Sequence, residues 1–374
     1  MFSTRSRAPG PRHIAILNWR DAWHPEGGGS EAYVRHVAEH LAALGIRVTV
    51  VTARYRSSSR REQIAGVDYV RRGGHLSVYL WAAVVLLTRR LGRVDEVLEV
   101  QNGMPFLATW CTRKPVVVLV HHVHREQWPV VGPLLARVGW FMESRVAVRA
   151  NAGNQYVAVS EVTRSELVDL GVDASAITVA YNGMTPAPPF APLPQVDGPV
   201  LATLSRLVPH KRIEHAIRLL PALAEEFPGV RLHVIGSGWW SENLERATAE
   251  LGVSDRVVFF GHVAEEAKFA LLSQAHLHLL PSLKEGWGLS IIEAALVAVP
   301  SVAYRSAGGV QESILDGVTG LLANDEADLL EVTRRLLRDP GLRADLASKA
   351  ALRATSQFTW ASTTATVDIA LGVR

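Results

Sequence analysis

The sequence predicts an α/β protein built from two doubly wound sheets facing a central cleft, and three observations carry that prediction. Apolar β-rich runs alternate with helix-like stretches along most of the chain, the pattern of parallel strands covered by helices on both faces. Residues 184–199, MTPAPPFAPLPQVDGP, hold six prolines in sixteen positions, which neither a helix nor an inner strand tolerates. A second series of the same alternation begins directly afterwards, and 374 residues exceed what one hydrophobic core usually serves. The expected organisation is a first domain over 1–185, a linker over 186–199, a second domain over 200–358, and a last helix over 359–374 that packs back on the first domain.

The first series of strands is expected at 13–18, 48–52, 94–100, 116–120, 156–159 and 177–180. The second is expected at 200–204, 231–235, 257–260, 277–280 and 301–303. Sheets of this kind bind ligands in the crevice at the strand carboxyl ends. The longest apolar segment of the first half, LSVYLWAAVVLL at 76–87, is followed by Arg89 and Arg90. It is too short to span a bilayer, which takes about 20 residues. It reads as a buried helix, with an interfacial helix as the alternative.

Composition excludes several classes. The single cysteine, Cys111, rules out an intrachain disulfide and most cysteine-based metal sites, and points to a reducing compartment, so a cytoplasmic location is expected. The N-terminal MFSTRSRAPGPR is basic, lacks a signal-like apolar core and reads as a loose arm. Net charge is +3, yet residues 1–190 carry 22 Lys and Arg against 15 Asp and Glu, and the remainder 17 against 21. The basic half suits a solvated face, an anionic acceptor or peripheral contact with the inner face of the cell membrane. Nucleic acid is not expected, because no recognition motif accompanies the charge.

Three strand-to-helix loops are ready for anions. RDAWHPEGGGS places Gly28 and Gly29 before a helix, where backbone N–H groups can approach a phosphate without a Cβ in the way. Such a loop alone is weak evidence. LATLSRLVPHKR places Arg206 and Lys211 after the first strand of the second series, where they can neutralise a diphosphate or form ordinary salt bridges. IGSGWWSEN, with Gly236, adds a third loop at the same edge.

SLKEGWGLSIIEAAL, 282–296, puts Glu285 before a helix expected to begin near Gly288 and Glu293 inside it, about 12 Å apart along the axis. A carboxylate repels a diphosphate, so two carboxylates bracketing an anion-binding helix start fit hydroxyl groups on either side of it. A sugar nucleotide has that layout. The alternatives are a helix-surface acid at 293 and a dipole-complementing acid at 285.

The chain resembles the retaining glycosyltransferases of the GT-B fold, family four (glycosyl transferases group 1), over nearly its whole length. The similarity lies in GGGSEAYVRHVAEHLAALGIRVTVVT, VVVLVHHVH, YVAVSEVTRSEL, VAYNGM, LSRLVPHK, IGSG, LPSLKEGWGLSIIEAALVAVPSVAYRSAGGVQESI and GVTGLL. The resemblance implies two Rossmann-like domains, with Arg206 and Lys211 on the donor diphosphate. It also implies Glu293 on the ribose, Glu285 on a hydroxyl of the transferred sugar and His121 near that sugar. Gly236, backbone groups of Gly286, Trp287, Gly288, Leu289 and Ser290, and Gly28 and Gly29 would complete the donor contacts. Ser205 and His210 stand where the family commonly shows Gly and Glu, and Trp287 where it shows Phe, which leaves the donor sugar open.

The implied reaction is transfer of a hexose from a UDP- or GDP-sugar to an acceptor hydroxyl with retention. No cofactor is expected beyond that co-substrate, and no metal. A front-face route follows from the lack of a carboxylate at the family's nucleophile position. HHVH is not read as a zinc site, since His121 and His122 point to opposite sides of a strand and no acid or thiol cluster joins them. A sugar phosphorylase, a sugar-nucleotide epimerase and a non-catalytic sugar-nucleotide-binding partner are the competing readings. The acceptor, a small molecule, lipid-linked group or glycan, is expected on the first domain, where Trp19, Trp23, His24 and Trp128 are sugar-stacking candidates or core residues.

Overall fold

The computed structural model describes residues 11–125, 127–128, 132–194 and 196–373; the basic arm before Pro11 lies outside them. The chain forms two compact units, Met1–Tyr181 with Thr363–Arg374, and Asn182–Ser362.

The first unit holds eight strands: β1 (His13–Leu17), β2 (Arg47–Thr52), β3 (Arg61–Ile64), β4 (Val67–Arg71), β5 (Glu96–Gln101), β6 (Val116–Val120), β7 (Gln155–Ala158) and β8 (Ile177–Val179). They are ordered β3-β4-β2-β1-β5-β6-β7-β8. Every pairing is parallel except β3 with β4. The central strands are apolar throughout because helices cover both faces: β1 and β6 are buried at every position. The β3–β4 hairpin is absent from the sequence expectation. REQI is a charged edge strand rather than an apolar run, and its two-residue turn, Ala65-Gly66, is set by φ of 48° and 80°.

The second unit holds β9 (Val200–Leu204), β10 (Arg231–Ile235), β11 (Val257–Gly261), β12 (Leu277–Leu280), β13 (Ser301–Tyr304) and β14 (Gly320–Ala323). The order β11-β10-β9-β12-β13-β14 is wholly parallel. It is the doubly wound order in which ligands bind where the winding reverses, here between β9 and β12. β14, GLLA, adds one strand to those expected.

The structure adds detail at both joints. The proline-rich stretch is not a free linker: Ala187 and Phe190 pack on the core of the second unit, and Gln274 Nε2 donates to the Pro194 carbonyl at 2.5 Å. The helix Trp360–Ala370 straddles the division between the units. From Thr363 onward it belongs to the first unit, where fully buried Asp368 meets His40 Nε2 at 3.0 Å. Arg12 donates to the carbonyls of Leu371 and Gly372 at 2.5 and 2.8 Å.

The apolar segment at 76–87 forms the helix Ser77–Leu87. Val78, Ala82 and Val85 enter the core, but Leu80 and Leu87 are 73% and 64% exposed. The buried-helix reading holds for one face only.

Candidate functional site

The loops at the reversal point of the second sheet are tied into one piece. The Leu283 N–H, after β12, donates to the His210 carbonyl, after β9, at 2.8 Å. The loop after β10 joins the same group: Leu207 N–H donates to the Ser237 carbonyl at 2.9 Å, and Trp240 N–H to the Leu207 carbonyl at 3.1 Å. The loop after β13 closes it, with Glu285 N–H donating to Ala307 and Gly309 N–H to Glu285 at 2.9 and 3.1 Å.

Glycine permits this approach. At Gly236, φ is 128° and a Cβ would lie 1.9 Å from the Ser205 carbonyl oxygen. A Cβ at Gly309 would lie 2.0 Å from that of Gly286. Any side chain at either position would force the backbones apart.

On this frame Lys211 Nζ meets Glu285 Oε1 at 2.6 Å, both side chains largely covered. The residues expected on a diphosphate and on a sugar hydroxyl are therefore bound to one another. An ammonium has three donors and a carboxylate two oxygens, so each keeps capacity for a ligand. Burial pushes the Glu285 carboxyl up, but the Lys211 ammonium outweighs it and holds the group below the usual carboxylate range. Arg206 is exposed and its guanidinium forms no ion pair among the described residues. Gly288, φ 88°, opens the helix Leu289–Leu296, and the N–H groups of Leu289 and Ser290 precede its first complete turn.

Glu293 lies on that helix and is held by a residue the sequence reading missed. Lys268 Nζ reaches Glu293 Oε1 at 2.6 Å and Glu265 at 2.7 and 2.8 Å. Burial lowers the Lys268 pKa, yet the two carboxylates outweigh that and raise it. No hydrogen bond among the described residues engages Glu293 Oε2. The spacing Glu265–Lys268 on one helix was a signal for an ion pair, but nothing local to it indicates Glu293.

Trp287 is expected to serve through its backbone. Its indole is buried against Phe358, ring centroids 4.6 Å apart, so only its backbone can serve the site. Its carbonyl accepts from Ser313 Oγ at 2.7 Å.

The first unit has its own reversal, between β1 and β5. The loop after β1 leads to the helix Gly29–Ala43. The Gly28 N–H expected for an anion already donates to Glu31 Oε2 at 2.7 Å, while Gly29 opens the helix. Arg71, fully buried at the end of β4, grips Asp21 of this loop at 2.5 Å and Glu62 of β3 at 2.6 Å. Arg20 adds Glu26 at 2.7 Å.

His121, after β6, is buried edge-on to Tyr33, and its Nε2 has no hydrogen-bond partner among the described residues. Burial lowers its pKa to about 3, so it is neutral at physiological pH. His122 and His124 stack at 4.0 Å. Buried Glu143 receives His124 Nδ1 at 3.0 Å and Trp128 Nε1 at 2.7 Å, and no cluster among the described residues could hold a metal ion. Trp128 fills the space left by Gly139, where a Cβ would lie 2.3 Å from its ring, so it is a packing residue. Trp19 packs on the core of this unit with Arg20 over its ring at 3.7 Å. His24 lies edge-on to Tyr55, and Trp23 is the exposed member of the set.

The chain is similar to known glycosyltransferases. Residues 188–353 match the family model described as glycosyl transferases group 1, and residues 27–187 match that for glycosyltransferase family 4. A GDP-mannose-dependent alpha-(1-6)-phosphatidylinositol monomannoside mannosyltransferase of Mycolicibacterium smegmatis is 34% identical over 54% of the chain and 59% of its own length. A 2-deoxystreptamine glucosyltransferase of Streptomyces kanamyceticus is 30% identical over 71% and 67%. Among solved structures, sucrose-phosphate synthase from Thermosynechococcus elongatus superposes with a TM-score of 0.81 at 19% identity, covering 97% of this chain and 98% of that one. The Anabaena protein HepE, in complex with UDP and glucose, gives 0.75 at 21%, covering 97% and 100%. The fold is therefore that of the GT-B glycosyltransferases, and since the two models abut at residues 187 and 188 to account for both halves, the chain belongs to the group 1 glycosyltransferase family.

Proposed function

We propose that the protein transfers a hexose from a UDP- or GDP-sugar to an acceptor hydroxyl, with retention of anomeric configuration and without a metal. The observation that carries this reading is the Lys211–Glu285 pair, set on loops from either side of the β9/β12 reversal, with Arg206 exposed on the loop that carries Lys211. Arg206 and Lys211 would hold the diphosphate, one by a planar fork and one as a point charge. Glu285 would orient a hydroxyl of the transferred sugar, Glu293 the ribose, and Gly236 and the backbone of Gly286–Ser290 the atoms between.

In a front-face reaction the acceptor oxygen bonds to the anomeric carbon as the bond from that carbon to the phosphate oxygen breaks. The acceptor proton passes to that leaving oxygen. The two cations stabilise the charge growing on the phosphate, and preorganised groups do this well. Neutral His121 would serve as a hydrogen-bonding group rather than a charge. The relatives named for phosphatidylinositol monomannoside and for 2-deoxystreptamine support a lipid-linked or small-molecule acceptor, and a cytoplasmic location is proposed with it. No helix among the described residues is long and apolar enough to cross a membrane.

Thermal-shift screening of UDP- and GDP-sugars tests the donor class, since a ligand of the folded state raises its melting temperature. NMR of the product's anomeric proton, with chelator present, tests retention and metal independence. An inverted product, or turnover that needs an added divalent ion, would overturn those assignments.

A further inference from the structure

We propose that the helical layer on one face of the first sheet docks on an anionic lipid bilayer. This goes beyond the transferase reading and stands whether or not the second unit moves a sugar.

The helix Ser77–Leu87 buries Val78, Ala82 and Val85. Leu76, Leu80 and Leu87, spaced for the opposite face, are each more than half exposed. The helix Pro133–Phe141 repeats this, with Leu134, Val138 and Phe141 more than half exposed at spacings of four and three, one helical stripe. Both helices cover the same sheet face. Val78, Ala82 and Val85 share one buried cluster with Leu17, Val97, Val118 and Tyr156, and Trp140 packs against that cluster. Exposed Trp110 lies on the short helix Ala108–Cys111, whose Ala108 enters the same cluster. Single exposed leucines need no explanation, but two helical stripes on one layer do.

Charge identifies what covers them. Residues 72–94 contain no acid, and Arg72, Arg89 and Arg90 are exposed there. Arg72 and Arg90 lie over the Trp81 ring at 4.6 and 5.5 Å, which holds both guanidinium groups against the helix Ser77–Leu87. Residues 132–150 expose Arg137, Arg145 and Arg149, while their single acid, Glu143, is buried. Apolar side chains ringed by arginine match the boundary between acyl chains and anionic headgroups. A two-fold pairing of this face with a second copy would instead bring arginine towards arginine.

The test is sedimentation of the full chain with phosphatidylcholine vesicles, with and without phosphatidylglycerol. The protein should pellet with the anionic vesicles, and added salt should weaken the binding. Leu80→Glu with Leu87→Glu, and separately Leu134→Glu with Phe141→Glu, should each lower the partition coefficient about tenfold or more. Leu352→Glu, 70% exposed in the second unit, should bind as the wild type. All replaced side chains are exposed, so melting temperatures should stay unchanged and report that the variants fold. The proposal is overturned if the double variants bind as the wild type does, or if anionic vesicles leave the protein in solution. A concentration-dependent dimer abolished by the same substitutions would assign the face to a second copy instead.

Discussion

At the carboxyl edge of the second sheet, four loops are held by backbone hydrogen bonds and by glycines that no other residue replaces. At the same edge of the first sheet, the glycine loop is closed by its own Glu31 and anchored by ion pairs from Arg71 and Arg20. Backbone ties fix geometry before a ligand arrives; side-chain ties can rearrange with the occupant. The two units therefore teach different things about binding: one edge is preorganised for a shared chemical feature, the other is adaptable.

The sharpest way to break this contrast is to add the same methyl group to both edges. Gly236→Ala places a Cβ against the Ser205 carbonyl in a left-handed backbone and should cost more than about 3 kcal/mol, with loss of donor binding. Gly28→Ala, at the N-cap in extended backbone with its Cβ 3.6 Å from Glu31, should cost about 1 kcal/mol or less. Urea melts of both variants check the difference; equal losses would erase it.

Next come the charges. Lys211→Met and Glu285→Gln should each lower kcat/KM by about 1.5–3 kcal/mol, roughly ten- to a hundredfold. Near-normal turnover in either variant would show that the pair is only a structural tie.

Acid should destabilise both units. Burial lowers the pKa of His233 and His278 in the second unit to about 4, and in the first that of His36 to about 4 and that of His121 to about 3. Unfolded, these groups titrate near 6.5, so between about 6.5 and 4 the unfolded chain binds more protons and stability falls as pH drops. Each contributes about 1.4 kcal/mol per pH unit, two of them in each unit. Urea melts across this window measure the slope, and a flat profile would contradict the burial.

The smallest expected effect refines the preorganised side. Lys268→Met should free the Glu293 carboxylate and raise the donor KM by about 1 kcal/mol, near fivefold, with kcat little changed. An unchanged KM would detach Lys268 from the site.

Much of this architecture is legible in the chain. Runs such as VVVLV and the glycines, cations and glutamates after β9, β10 and β12 stand out because parallel sheets put ligands where strands end. What was hidden depends on contacts distant in sequence. Lys268 meets Glu293 across 25 residues, and Arg71 reaches Asp21 across 50. Glu143 reads as an ordinary helix acid until Trp128 and His124 are placed on it. Apolar run length cannot report that Leu80 and Leu87 face outward, since the helix Ser77–Leu87 is hydrophobic all round.

The return of the last helix bears on the order of assembly during synthesis. Residues 182–362 are contiguous, so the second unit has all of its own chain once Ser362 leaves the ribosome. The first unit begins to emerge earlier, yet His40 waits for Asp368 and Arg12 for the carbonyls of Leu371 and Gly372. The unit that starts first is completed last, and until then its incomplete core depends on avoiding premature association with its neighbours in the cell.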